Sequence, residues 1–145
     1  MARIKIELPE KQIFETQLAV RITDLNYGGH VGNDTFLSYL HEARLQCLLQ
    51  AGYTSELHFG DSPVGIIMAD AALQYLAEGF YGDSLLIKIF LGETSRVGYD
   101  LYYQIIESKS RKEVLRAKTG ILSFDYQVRK VAPIPAELKK RWGIA

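Results

Sequence analysis

Residues 23–44, TDLNYGGHVGNDTFLSYLHEAR, decide how the rest of this chain is read. A strand-like run, residues 18–22, enters a polar loop punctuated by Gly28, Gly29 and Gly32. Glycines let a backbone turn tightly and approach a ligand closely. The loop carries Asn26, His30 and Asn33 and feeds a segment of helical period that begins at about Asp34. Phe36, Leu37, Leu40, Ala43, Cys47, Leu48 and Ala51 recur at helical spacing, and Gly52 is placed to stop the helix. Asn33 or Asp34 is the expected N-cap. The first turn of such a helix aims unpaired N–H groups, and a partial positive charge of about half a unit, back at the loop. That arrangement suits a site where negative charge develops on an oxygen.

Outward from this stretch, a first strand is expected over residues 13–22 and an irregular segment over 53–63. Four further strands are expected over 64–77, 84–93, 99–107 and 114–126, with short turn-like separators. One helix followed by four consecutive strands predicts an α+β domain with an antiparallel sheet of about five strands. A helix of about five turns, lying across the strands, buries the concave face of such a sheet.

At 145 residues the chain reads as one domain, residues 1–145, large enough to bury a substantial core. Apolar residues make up 48%, which argues against disorder, and no apolar run approaches the roughly 18 residues needed to span a bilayer. Lys and Arg balance Asp and Glu at 17 each, so neither nucleic acid nor an acidic membrane surface is an expected partner. The first residues lack the apolar core of a signal peptide, and the single cysteine, Cys47, suits a reducing cytoplasm. Cys47 falls on the apolar helix face and reads as core. His41 and His58 show no metal-ligand spacing, so neither a metal nor a cofactor is expected.

The order strand, D-x-N-x-x-G-H-V-x-N loop and long helix containing Glu42-Ala43-Arg44 resembles the hotdog-fold acyl thioesterases, nearest to the 4-hydroxybenzoyl-CoA and acyl-CoA thioesterase branches. Tyr75-Leu76-Ala77-Glu78, then Tyr81-Gly82-Asp83-Ser84-Leu85, resembles the family's second strand, its bend and the start of its third strand. The ending Lys130-Val131-Ala132-Pro133-Ile134-Pro135, followed by a short basic helix, also fits. The resemblance implies a hotdog fold, a homodimer or homotetramer with sheets joined edge to edge, and an acyl-CoA or acyl-carrier-protein thioester as substrate.

Thioester hydrolysis requires an oxyanion stabiliser and a carboxylate that attacks or activates water. The family's backbone oxyanion donor maps onto Asn33. Its usual loop aspartate maps onto Asn26, whose amide cannot act as a base but can hold a carbonyl or a water. Two acids can fill the gap. Glu78 sits at the bend of the second strand, and its Tyr-x-x-Glu run resembles that of plant acyl-carrier-protein thioesterases, whose glutamate is catalytic. Asp70, eight residues earlier, is expected on the same strand face, with a raised pKa if buried in its apolar run. His30 either orients the carbonyl or locks the loop. Asp24 reads as a loop-stabilising cap, and Glu42 and Arg44 as surface or subunit-contact groups. Two other functions stay open: a non-catalytic acyl-CoA-binding module, suggested by Asn26, and an enoyl-CoA hydratase, suggested by Asp24-x-Asn26 with His30.

Overall fold

The computed structural model describes all residues, 1–145. In chain order it contains β1 (Gln12–Ala19), α1 (Asn33–Ala51), β2 (Tyr53–Ser55), β3 (His58–Phe59), β4 (Val64–Tyr75), β5 (Ser84–Thr94), β6 (Gly98–Glu107), β7 (Glu113–Asp125), β8 (Lys130–Val131) and α2 (Ala136–Trp142). The main sheet runs β1-β5-β6-β7-β4, antiparallel throughout, and β8 adds to the end of β7. Its concave face wraps α1, which gives the expected hotdog arrangement.

Period two on the strands and period 3.6 on the helix meet in one core. Leu85, Ile87 and Ile89 of β5, Leu101, Tyr103 and Ile105 of β6, and Leu115, Ala117 and Thr119 of β7 are all fully buried. Phe36, Tyr39, Leu40, Ala43, Cys47, Leu48 and Ala51 of α1 are buried with them. Each fully buried Leu or Ile stabilises the fold by roughly 1.5–3 kcal/mol, and truncating Leu40 to Ala should cost about 2–5 kcal/mol. Burial pushes the Cys47 thiol up to about 12, consistent with its reading as core.

Both ends of α1 are set by glycine. Gly52 takes φ 117° and donates its N–H to the Leu48 and Leu49 carbonyls, a left-handed cap that stops the helix where the sequence placed it. The N-cap is Gly32 rather than Asn33 or Asp34, and no side chain caps the first turn.

Other expectations are corrected. Residues 53–63 are not wholly irregular: β2 and β3 form a small hairpin, and the Glu56 carbonyl accepts the Ile66 N–H at 2.7 Å, covering the start of the β4 edge. β4 ends at Tyr75, so Glu78 lies beyond the strand. Arg44 is not a surface group. It is 5% exposed, with Nε 3.4 Å from Glu56 Oε2, while His41 reaches the other Glu56 oxygen. Glu42 does remain at the surface, hydrogen-bonded by Gln46 at 2.7 Å. No helix is long and apolar enough to cross a membrane.

Candidate active site

After β1 the chain makes a turn of 3-10 helix, Ile22–Asp24, and then a loop closed on itself by main-chain bonds. Asn26 donates its N–H to the His30 carbonyl at 2.9 Å, and Gly29 donates to the Asn26 carbonyl at 3.1 Å. Gly29 has φ 80°, the left-handed backbone that such a turn needs and that glycine adopts without strain. The Asn26 side-chain oxygen accepts the Gly28 N–H at 2.8 Å, so the amide that stands in the aspartate position is used in the turn itself.

His30 and Asn26 converge over Gly28. A methyl group on Gly28 would lie 3.2 Å from both Asn26 Oδ1 and His30 Nε2. His30 Nδ1 is 3.2 Å from the Val31 carbonyl. A proton on Nδ1 satisfies that carbonyl and leaves the Nε2 lone pair free for a ligand.

The loop delivers the chain to the start of α1. Gly32 donates to the Asp24 carbonyl at 3.2 Å, and Thr35 donates to the Gly32 carbonyl at 3.0 Å. The N–H groups of Asn33 and Asp34 have no acceptor in the chain. These are the free donors of a helix terminus, reinforced by the aligned peptide dipoles behind them. Tyr75 steadies the same turn: its hydroxyl donates to the Asn33 carbonyl at 3.1 Å, and its ring lies 6.0 Å from that of Phe36.

The two candidate acids fall in different places. Glu78 is exposed, in the segment that leaves β4, where Leu76 and Ala77 both donate to the Val114 carbonyl. The next residue, Gly79, accepts the Val31 N–H at 2.8 Å. That bond lays the Glu78 segment alongside the His30–Asn33 stretch.

Asp70 lies on the outer face of the sheet. A bulge between Met68 and Asp70 interrupts the alternation of β4. Asp70 Oδ1 accepts Lys118 Nζ at 2.8 Å and the Gly120 N–H at 2.9 Å, while Thr119 between them points inward to Tyr103. The Asp70 side chain is 60% exposed, and the Lys118 ammonium holds its carboxyl below the usual carboxylate range. The expected raised pKa is therefore reversed, and Asp70 and Glu78 do not share a strand face.

Asp24 holds the loop, as its cap reading anticipates. Its side chain accepts the Arg21 N–H at 2.9 Å and the Tyr39 hydroxyl at 2.8 Å. Sequence reasoning missed Tyr39 as a polar partner, because its hydroxyl partner comes from outside the helix. The close approach at Gly79 was missed as well: a lone glycine beyond a strand end carries no periodic signal.

The sequence profile described as the thioesterase-like superfamily matches residues 20–142. A 1,4-dihydroxy-2-naphthoyl-CoA hydrolase from Microcystis aeruginosa is 30% identical over 124 residues, covering 86% of this chain and 88% of its own. Among solved structures, a 1,4-dihydroxy-2-naphthoyl-CoA thioesterase from Synechocystis superposes with TM-score 0.72 at 22% identity, covering 90% of this chain and 96% of its own. A Staphylococcus aureus protein in complex with CoA superposes with TM-score 0.83 at 10% identity, covering 95% and 85%. The two structural likenesses establish the fold, and the sequence match across nearly the whole domain establishes more: the chain belongs to the thioesterase-like superfamily.

Proposed function

We propose that this protein hydrolyses an acyl-CoA thioester, using the Asn33 N–H as oxyanion donor and Glu78 as general base. The observation that carries this reading is the free helix terminus at Asn33, tied through the Val31–Gly79 bond to the segment that bears Glu78. The thioester oxygen sits against the Asn33 N–H. Glu78 takes a proton from water as the hydroxyl oxygen bonds to the carbonyl carbon. The tetrahedral oxyanion then collapses, the C–S bond breaks, and the thiolate recovers the proton from Glu78. His30 Nε2 and the solvent-facing side of Asn26 border the same space and suit orienting the substrate.

An aromatic acyl group is the first choice. The Microcystis relative is named for an aromatic substrate, and Tyr27, Tyr75, Phe80 and Tyr81 are exposed along the loop and the Glu78 segment. The relative in complex with CoA supports coenzyme A over a carrier protein as the thiol. A homodimer is supported by β4, the sheet's edge strand, where Met68–Ala71 are exposed. A cytoplasmic location is supported by the single, reduced Cys47.

The test is free-thiol release from short, medium, long and aromatic acyl-CoAs, with Glu78→Gln beside the wild type. Turnover falling by about 10²-fold or more in the variant is expected for loss of a general base. Near-normal turnover would remove Glu78 from the mechanism. A second reading, an acyl-CoA-binding module without chemistry, is favoured by the amide at Asn26. Binding of acyl-CoA with no thiol release would establish it.

A further inference from the structure

One buried polar cluster borders the candidate site without supplying any of its chemistry. Asp24 is only 5% exposed, and both its side chain and its main chain are engaged. Oδ2 accepts the Tyr39 hydroxyl at 2.8 Å and the Arg21 N–H at 2.9 Å, while Oδ1 accepts the Arg21 guanidinium at 3.2 Å. The carbonyl of the same residue accepts the Gly32 N–H at 3.2 Å.

Gly32 is the N-cap of α1, and Tyr39 lies in its second turn. One residue therefore grips α1 at two points, through its main chain at the cap and through its side chain further along. The free N–H of Asn33 lies between those two grips. Tyr39 is itself buried and stacks edge-on against Phe36 at 5.8 Å, so its hydroxyl has little freedom to seek another partner.

We infer that Asp24 and Tyr39 are positioning residues for the proposed hydrolysis, their hydrogen bond fixing the start of α1 so that the Asn33 N–H faces the thioester oxygen. This rests on the reading of Asn33 as oxyanion donor. With both Asp24 oxygens occupied, the carboxylate acts through the helix rather than on the substrate. Burial alone would raise the Asp24 pKa, but the Arg21 N–H, the Tyr39 hydroxyl and the Arg21 guanidinium outweigh it and hold the group below the usual carboxylate range. The clamp is therefore charged at neutral pH. An oxyanion donor contributes in the transition state far more than in the bound substrate, so loosening it should lower kcat and spare KM.

The test pairs kinetics with the amide resonances of Gly32 and Asn33 in the ¹⁵N-labelled chain, for wild type, Tyr39→Phe and Asp24→Asn. Tyr39→Phe should lower kcat roughly 10- to 100-fold, as for a small misplacement of a catalytic group. KM should stay within about twofold, as for an interaction made mainly in the transition state. Both resonances should move in both variants. Unmoved resonances, or a kcat per folded molecule equal to wild type, would overturn the clamp. A merely structural role predicts the latter: less folded protein, with each folded molecule turning over normally. Moved resonances in a chain whose wild type releases no thiol from any thioester would uphold the clamp and overturn the hydrolysis reading instead.

Discussion

Gly79→Ala probes the contact that brings the two halves of the candidate site together. Gly79 does not have a positive φ, so alanine is compatible with its backbone. The difficulty is space. The new Cβ would lie 3.0 Å from Val31 Cγ2, 3.5 Å from Val31 Cβ and 3.8 Å from Phe36 Cζ. Carbon atoms are comfortable at about 3.5–4.0 Å, and only the contact to Cγ2 is tight, so Val31 or the Gly79 segment must give by a few tenths of an ångström. Val31 cannot easily turn away, being buried and held by its N–H to the Gly79 carbonyl at 2.8 Å. The parting therefore carries Glu78 away from Asn33. A misplacement of about 1 Å costs about 10²-fold in rate, so one of a few tenths of an ångström should cost roughly threefold to tenfold, while the overpacking itself costs about 1–3 kcal/mol. Thiol release measured beside urea unfolding separates the two effects. Turnover should fall roughly threefold to tenfold in protein that remains fully folded. Because the crowded atom is Cγ2, the double variant Gly79→Ala, Val31→Ala should regain part of the loss. Wild-type turnover in Gly79→Ala, or a loss no larger than its unfolded fraction, would show that the Val31–Gly79 contact does not set the site.

Asp70→Asn should leave turnover within about twofold of wild type, because Asp70 Oδ1 is held by Lys118 and the Gly120 N–H on the outer face of the sheet. A hundredfold loss in thiol release would instead place Asp70 in the chemistry. The depressed Asp24 pKa makes a signed prediction. The group stabilises the fold above its unfolded pKa of about 3.9, and that contribution is lost as pH falls through the lower folded value. Urea midpoints of the wild type should therefore fall below about pH 4, and Asp24→Asn should show a flatter acid limb from a lower starting stability. A steep limb unchanged in the variant would assign the acid sensitivity elsewhere. Cys47, with its thiol pushed up to about 12 by burial, should react with a thiol reagent at pH 8 only as fast as the fold opens. Rapid labelling of native protein would contradict its placement in the core.

Most of the architecture was legible because it rests on local patterns. The expected helix from Asp34 to Ala51 begins at Asn33, and the positive φ at Gly52 ends it. The four later strands fall within two residues of the expected bounds. The misreadings share one cause, dependence on distant partners. Asp70 leaves the expected face because of a bulge opposite Gly120, fifty positions along the chain. Arg44 is buried because Glu56 reaches over from the hairpin. That hairpin itself was invisible, since two strands of three and two residues are too short to show alternation. At the candidate site, the helix start and Asp24 were legible from residue type and spacing. The Tyr75 and Tyr39 hydroxyl bonds were not, because each partner lies on a different element and leaves no trace in local spacing.

The unoccupied N–H at Asn33 belongs to the peptide unit and owes nothing to the asparagine side chain, which is exposed. Inheritance of such a group leaves no mark in the alphabet of residues. Every non-proline substitution there transmits it, provided that the glycine cap and the helix behind it persist. A partner acid can then stand on any segment that comes alongside the helix start, while the polarising element stays put. An amide in the loop, as at Asn26, is on that account no bar to polarising a carbonyl at the helix start.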